Sequence, residues 1–584
     1  MITLLNRVTK ENRGKIIFLF CLAIIFLSAQ AFTNLTIPSL MGDMVNKGMI
    51  TGDTKYVLSK SGILITLALV TFGFSVSANM IAAKLSAAFG KRARWQLFEK
   101  IESFSLSEFD KIGGSSLITR ITNDVTQIQN VLNMAFRSII FSPIMMIGGI
   151  VLASQQDISL LWILVVSMSM LILLIVVLFK TITPLFKSMQ KKVDKLNLLL
   201  RESLTGIRVI RAFNKIEYDE NLFKGANEDL TDVAIKANRI MSIMQPIMML
   251  ITSLTAVAVV WFGAKRIATG NMEIGDMIAF MQYTQTILFS IIMISIMFVM
   301  IPRASASCER INEVLDIEPI IVDSKSKKPF KNEKGLLEFK NVTFGYEGAD
   351  SPVIRNISFT SRAGETTALI GSTGSGKSTL INLIPRFYDV TFGEILIDGT
   401  NVKDISQKDL REKIGFVPQG PILFSGTVRE NIQFGKKDAS DQEIKKALQI
   451  AQAETFVEEM KDGYNSHIAQ GGTNVSGGQR QRLSIARAVV SNPEIYIFDD
   501  SFSALDLKTD SALRGALKKE TKNSTIIIVA QKVSTIVDAD QIIVLDEGEI
   551  AGIGTHRELL NSCKVYKEIA LSQLSEEELN ERYK

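Results

Sequence analysis

Gly371-Ser372-Thr373-Gly374-Ser375-Gly376-Lys377-Ser378 lies between an apolar strand-like run, Thr366–Ile370, and the helical run Thr379-Leu380-Ile381-Asn382-Leu383-Ile384. Glycines at this spacing let backbone N–H groups come close to phosphate oxygens. Lys377 then reaches the β/γ-phosphates and the Ser378 hydroxyl can ligate Mg2+. A helix opening at Thr379 turns its N-terminus toward the same anion. Downstream, Glu494-Ile495-Tyr496-Ile497-Phe498-Asp499 reads as a buried strand ending in a carboxylate, and Asp499 is placed to hold Mg2+ through water. Between the two, Asn474-Val475 leads into Ser476-Gly477-Gly478-Gln479, a Ser-Gly-Gly turn before a helix and so a second anion site. Together these residues imply binding of a nucleoside triphosphate with Mg2+.

The elements that must position them begin at Leu337, where Leu337-Glu338-Phe339-Lys340-Asn341-Val342 alternates as a strand does. Residues 306–336 form a linker. Its first part, to Glu318, continues a helix, and Lys325–Lys334 is polar with Pro329 as a breaker. The phosphate-binding half therefore spans 337–575, with a tail at 576–584.

The first 305 residues are of another kind. The chain has 584 residues, 47% hydrophobic and 21% charged, with net charge +5 and mean hydropathy +0.22. The apolar residues cluster in runs at 16–37, 61–83, 138–154, 158–179, 244–262 and 277–301, each free of Asp, Glu, Lys and Arg. Each is long enough to cross a hydrocarbon core of about 30 Å as a helix. The first run also resembles a signal peptide ending at Ser28-Ala29-Gln30-Ala31. It continues to Pro38, however, and five more spans follow, so it is expected to be an anchor. With no ionisable residue at membrane depth, proton coupling has no support. Residues 84–137 and 180–243 are long helical connections. The second carries about a dozen Lys and Arg, which marks it as cytoplasmic. The spans are expected to continue into the cytoplasm as long helices. No basic run points to nucleic acid. Cys21, Cys308 and Cys563 have no metal or disulfide spacing and fit a reducing compartment.

Met244, Met248, Met249, Met293, Met297 and Met300, with Gln282, Tyr283 and Gln285, enrich the last spans. Soft side chains suit either helix packing or a cavity for varied apolar ligands, with packing the simpler account.

With its motifs taken together, the sequence resembles the ATP-binding cassette family, in its exporter branch, over nearly its whole length. The resemblance implies six transmembrane helices with long cytoplasmic extensions, an all-α membrane part, followed by an α/β phosphate-loop ATPase domain. It implies that Tyr346 stacks on adenine, and that Gly371–Ser378 and Thr379 bind ATP. It further implies that Gln419, in Val417-Pro418-Gln419, senses the γ-phosphate and joins Ser378 and Asp499 around Mg2+. Ser476–Gln479 match the signature, with Val475 in place of the commoner leucine, and Ser503-Ala504-Leu505-Asp506 match the loop that crosses between partner domains. Segments 115–125 and 206–213 look like the cytoplasmic coupling regions. In this family two ATPs are sandwiched between two cassettes, so a dimer in the cell membrane is implied, multi-pass, with the N-terminus and the ATPase domain cytoplasmic.

Two positions depart from the family pattern. Asp500 stands where the general base is glutamate, and Gln531, in Val529-Ala530-Gln531-Lys532, stands where the switch residue is histidine. Aspartate is one methylene shorter, and a misplacement of about 1 Å can cost roughly a hundredfold in rate. Glutamine cannot carry the charge of an imidazolium. His467 and His556 lie elsewhere in the pattern. Gln470 also replaces a glutamate common before exporter signatures. The pattern resembles the degenerate-site subunit of heterodimeric bacterial multidrug exporters. The resemblance implies a slow or non-hydrolysing site here, a partner half-transporter with an intact Glu/His pair, and apolar or amphipathic cargo. The alternatives are a homodimer with Asp500 as base, an ATP-gated regulator, and a lipid or peptide transporter on the same fold.

Overall fold

The computed structural model describes residues 2–9, 13–324, 328–331 and 334–573. Two compact units emerge: residues up to Glu102 with Gly113–Ile317, and Ser103–Ile112 with the chain from Glu318 onward.

In the first unit a short helix, α1 (Ile2–Thr9), precedes α2 (Arg13–Met44). The long α3 (Thr54–Glu102) follows. The unit resumes at α5 (Gly114–Gln156), then α6 (Leu161–Ala212), α7 (Ile216–Ala268) and α8 (Ile274–Asp316). All but α1 are long and apolar enough to cross a membrane, six in number. At 52 residues α6 is about 78 Å long, more than twice a hydrocarbon core. The runs expected at 158–179 and 244–262 each occupy less than half of their helix, and the rest is extension. Helix α8 passes straight through Pro302 to Asp316, so the boundary expected at 305 lies inside a helix. The expected tail, 576–584, lies outside the described residues.

Close backbone approach and a few polar bonds hold this unit together, as they must where apolar burial gives no preference over lipid. A Cβ on Gly275 would stand 2.0 Å from the carbonyl oxygen of Gly42, so α2 and α8 touch through two glycines. Ser167 and Thr255 join α6 to α7 at 2.7 Å. The Tyr283 hydroxyl donates to the Leu35 carbonyl at 2.9 Å. Tyr283, Met248 and Met297 are buried in this packing.

The second unit is α/β. With β1 Leu337–Phe344, β2 Ile354–Ser361, β4 Phe392–Ile397, β5 Thr400–Asn401 and β12 Glu549–Gly554, a six-stranded sheet runs β12-β11-β3-β10-β9-β6, and a four-stranded antiparallel sheet runs β2-β1-β4-β5. β3 is Thr366–Gly371, β6 Ile414–Val417, β9 Ile495–Asp499, β10 Thr525–Val529 and β11 Gln541–Asp546. Both β9 and β10 are buried along their whole length, as parallel strands covered on two faces must be. Lys413, entering β6, bridges Asp398 after β4 and Glu494 before β9, at 2.5 Å each.

α4 (Leu106–Ile112) belongs to this second unit. Ser105 opens it by hydrogen-bonding Glu108, which also accepts the Ile320 N–H at 2.9 Å. The segment that packs with the nucleotide unit is thus 103–112. The stretch 115–125 instead lies inside α5. Gly113, at φ +82°, makes the break between them. Segment 206–213 ends α6 and its turn, where Val209 and Phe213 stand exposed.

Candidate functional site

Register brings the site together at the C-terminal ends of the parallel strands. Val529 pairs with Leu369 on one side and Asp499 on the other, so β3, β10 and β9 end side by side. The phosphate loop leaves β3 at Gly371, level with Leu545. A Cβ on Gly371 would stand 2.1 Å from the Leu545 carbonyl oxygen, so only glycine fits there. Gly376, at φ +95°, turns the loop into α9 (Lys377–Leu383).

A cleft of about 560 Å³ opens there. Of the residues expected to bind nucleotide, Gly371–Gly374, Gly376–Thr379, Gln419 and Asp499 line it, with Asp500 and Gln531. Ser375 is buried behind the loop. Lys377 Nζ donates to the carbonyls of Gly371 at 2.9 Å and Ser372 at 2.7 Å, folded back along its own loop. Burial pushes the Lys377 ammonium below the usual lysine range, against the pull of Asp499 and Asp500. Burial pushes both Asp499 and Asp500 above the usual carboxylate range. Such desolvated groups of both signs in one cleft form an environment prepared for a charged ligand.

Ser378 Oγ stands 3.4 Å from Asp499 Oδ1. Cis ligands of Mg2+ lie about 3 Å apart when each bond is about 2.1 Å, so one ion fits this pair after a small adjustment. Hydroxyl and carboxylate oxygens are the hard donors that Mg2+ takes. Among the described residues no cluster of three acidic, His or Cys side chains exists. The site suits an ion that receives its remaining ligands from phosphate and water.

Asp500 is the centre of a small network. Gln531 Nε2 donates to its Oδ2 at 2.9 Å, and Gln419 Nε2 approaches the same oxygen at 3.4 Å. Its backbone is left-handed at φ +44°, a conformation that aspartate tolerates better than most residues. Tyr346 lies outside the lining. Its hydroxyl meets Thr379 Oγ1 at 3.1 Å, and its ring stands edge-on to Tyr388 at 5.3 Å. The Tyr388 hydroxyl donates to Asp110 of α4 at 3.4 Å, and burial, with Asp110 nearby, pushes its pKa up to about 12. Gln470 is exposed and His467 lies on the short strand β8 (His467–Ile468). His556 is buried against the Tyr566 hydroxyl at 2.6 Å, and neither histidine lines the cleft.

The signature turn is elsewhere. Ser476 caps α10 (Gly477–Val489), accepting the Gln479 N–H while its own N–H donates to Gln479 Oε1 at 2.9 Å. None of Ser476, Gly477, Gly478 and Gln479 lines the cleft. A Cβ on Gly477 would meet nothing within 4 Å, so this chain's packing does not demand a glycine there.

Three further lining residues, Ile569, Ser572 and Gln573, come from the C-terminal end of α11 (Lys564–Leu571) and the turn after it. Gln573 Nε2 donates to the Gln531 carbonyl at 2.8 Å, and its Oε1 accepts the Val533 N–H at 2.8 Å. No motif marks them in the sequence.

Comparison with known proteins agrees with this construction. Residues 20–292 match the family model of the ABC transporter transmembrane region, and 354–503 that of the ABC transporter. An uncharacterized ABC transporter ATP-binding protein of Mycobacterium tuberculosis is 39% identical over 98% of both chains. An ATP-dependent lipid A-core flippase of Syntrophus aciditrophicus is 34% identical, covering 84% of this chain and 81% of its own. Among solved structures, a bacterial Atm1-family ABC exporter with ATP bound shares the fold at TM-score 0.77. Its identity is 24%, over 98% of this chain and 99% of that one.

Proposed function

The chain belongs to the ATP-binding cassette transporters, and from that premise we propose that it is one subunit of a heterodimeric exporter whose own ATP site is degenerate. The ATPase domain implies ATP hydrolysis coupled to transport, and six helices of spanning length make it a multi-pass membrane protein.

The observation that carries the proposal is the Asp500–Gln531 pair. Asp500 Oδ2, where a base must meet the attacking water, already receives Gln531 Nε2 and lies near Gln419. Asp500 is a methylene shorter than the glutamate of this position, and Gln531 supplies no positive charge to a γ-phosphate. In this reading Tyr346, Gly371–Thr379 and Gln419 bind ATP, and Ser378 and Asp499 hold Mg2+, with Gln419 reaching the same ion once it leaves Asp500. The bound ion would neutralise charge developing on the phosphates. Hydrolysis here is slow or absent.

Ser476–Gln479 serve the other cassette. The free N–H groups at the start of α10 form an anion site that this chain does not use, and Gly477 leaves room for close approach from outside. The partner half-transporter, with its own Glu/His pair, hydrolyses the ATP that this turn completes. ATP binding closes the cassettes, the long cytoplasmic helices carry that closure to the membrane, and hydrolysis at the partner's site resets them. The cargo is apolar or amphipathic, in keeping with uncharged spans and with the flippase relative. The orientation places the N-terminus and the cassette in the cytoplasm.

Restoration is the test. Asp500→Glu with Gln531→His in the purified heterodimer is expected to raise ATPase activity by adding a second competent site. Wild-type heterodimer that hydrolyses ATP equally at both sites would refute the proposal. So would brisk ATPase activity of this chain alone, unchanged by a partner, which is the signature of a homodimer using Asp500 as base.

A further inference from the structure

A second cavity, of about 650 Å³, lies in the helical unit, between α1, the start of α2, the middle of α3 and α5. Its position along each helix is consistent. Lys15, Leu19 and Phe20 stand where α2 enters its apolar run. Lys84 stands where the apolar run of α3 ends at 83, and Lys91 and Arg92 two turns further along the helix. Phe136 stands just before the run of α5 that begins at 138. Lys15, Lys84 and Phe136 therefore lie at the boundary between hydrocarbon and water, and Lys91 and Arg92 about 12 Å beyond it along α3, on the side where α3 and α6 extend.

The lining is divided chemically. Phe20 and Phe136 pack at 5.6 Å and, with Leu19, Leu85 and Phe89, make an apolar wall. Four cations border it, and Lys15, Lys84 and Lys91 have no carboxylate partner among the described residues. Lys84 and Lys91 are seven residues apart, on one face of α3, and Trp95 follows one turn later, 65% exposed. Val8 of α1, which lines the groove, and Leu4 are both buried, so α1 is packed in place against it.

We propose that this groove binds one anionic phospholipid, the phosphate held among Lys15, Lys84, Lys91 and Arg92 and an acyl chain laid along Phe20, Phe89 and Phe136. Charge selects the occupant: a zwitterionic lipid fills the wall equally well but leaves the excess positive charge unanswered. A cavity of this size accommodates a bound chain with its headgroup. The site shares no lining residue with the ATP cleft, and it stands whether or not the cassette site is degenerate.

Trp95 supplies the probe. With Trp162→Phe and Trp261→Phe it is the sole tryptophan of the chain. The full-length protein is placed in phosphatidylcholine nanodiscs containing a minor fraction of phosphatidylglycerol brominated on its acyl chains. Brominated phosphatidylglycerol is expected to quench Trp95 at far lower mole fraction than brominated phosphatidylcholine. Each of Lys15→Gln, Lys84→Gln and Lys91→Gln is expected to cut that preference about fivefold, one lysine at the headgroup level being worth about that factor. Folding of each single variant is checked by its elution volume, and any one that folds serves the test. Equal quenching by the two lipids, or a preference that survives the lysine substitutions, overturns the assignment. Quenching by a brominated fatty acid and not by phosphatidylglycerol overturns the phospholipid. Absence of quenching with Trp95 shielded from aqueous iodide shows that protein covers the groove, and also overturns it.

Discussion

In the ATP cleft Lys377, Gln419, Asp499, Asp500 and Gln531 are bonded to one another or to the phosphate loop, whereas at the signature turn the side chains of Ser476 and Gln479 bond only within the turn. The cleft is a pocket that one chain builds, and its Gly371 is demanded internally by the Leu545 carbonyl. The signature turn is half a site, and Gly477 is demanded by nothing within 4 Å. A glycine without an internal reason costs about 0.5–1 kcal/mol in a helix relative to alanine. In the proposed assembly its reason lies outside the chain, where one ATP is held by two proteins.

The contrast breaks most visibly at Gly477. Gly477→Asp puts a carboxylate on the helix N-terminus, where it occupies the anion site. We expect ATPase activity of the heterodimer to fall about 100- to 1,000-fold, the scale of losing an electrostatic donor at a reacting phosphate. This chain's own ATP affinity and melting temperature should not fall, since aspartate suits a helix start. A melting temperature that drops with the activity would show the glycine to be internal after all. Lys377→Ala tests the other side. Loss of charge-assisted bonds worth about 3 kcal/mol weakens ATP binding to this chain about 100-fold, read by equilibrium dialysis. The partner's hydrolysis should survive at a reduced rate.

Asp500→Asn sharpens the comparison within the cleft. Where a catalytic carboxylate is at work, its amide costs orders of magnitude. Here the carboxylate already accepts Gln531, and the heterodimer's turnover is expected to change by less than about threefold, as for substitutions outside the reacting centre. A hundredfold loss would make Asp500 the base.

How much of this was legible in the sequence follows from how local each feature is. The phosphate loop is a strand, a glycine turn and a helix in one short stretch, so Gly371–Thr379 could be read directly. The six apolar runs were legible for the same reason, but the helix ends were not. Charged helical extensions and loops have similar compositions, although the helix read on to Glu318 does run through Pro302 to Asp316. The Ser105–Glu108 cap of α4 is a readable signal, yet only packing on Ile320 and Tyr388 shows that this short helix belongs with the nucleotide unit. Gln573 was invisible: an isolated glutamine after an ordinary helix, it acquires meaning only where the chain returns to the Gln531 loop.

The smallest expected effect comes from the protons of the cleft, and it carries opposite signs for the two states of the protein. Burial raises the pKa of Asp499 and of Asp500 above the ordinary carboxylate value. Between the ordinary and the raised value the folded, nucleotide-free chain binds more protons than the unfolded one. Stability of that state therefore increases as pH falls through the window. Mg2+ needs Asp499 ionised, so its apparent affinity decreases over the same window. The limit is tenfold per pH unit for a single obligatory carboxylate. It is diluted to about twofold here, because triphosphate and water supply most of the ligands. Melting curves with and without Mg-ATP, taken down in pH from neutral, should converge as the apo protein gains and the liganded protein loses. Parallel curves would mean that Asp499 does not hold the ion. Nothing comparable is expected from the signature turn, since Ser476–Gln479 contains no titratable group.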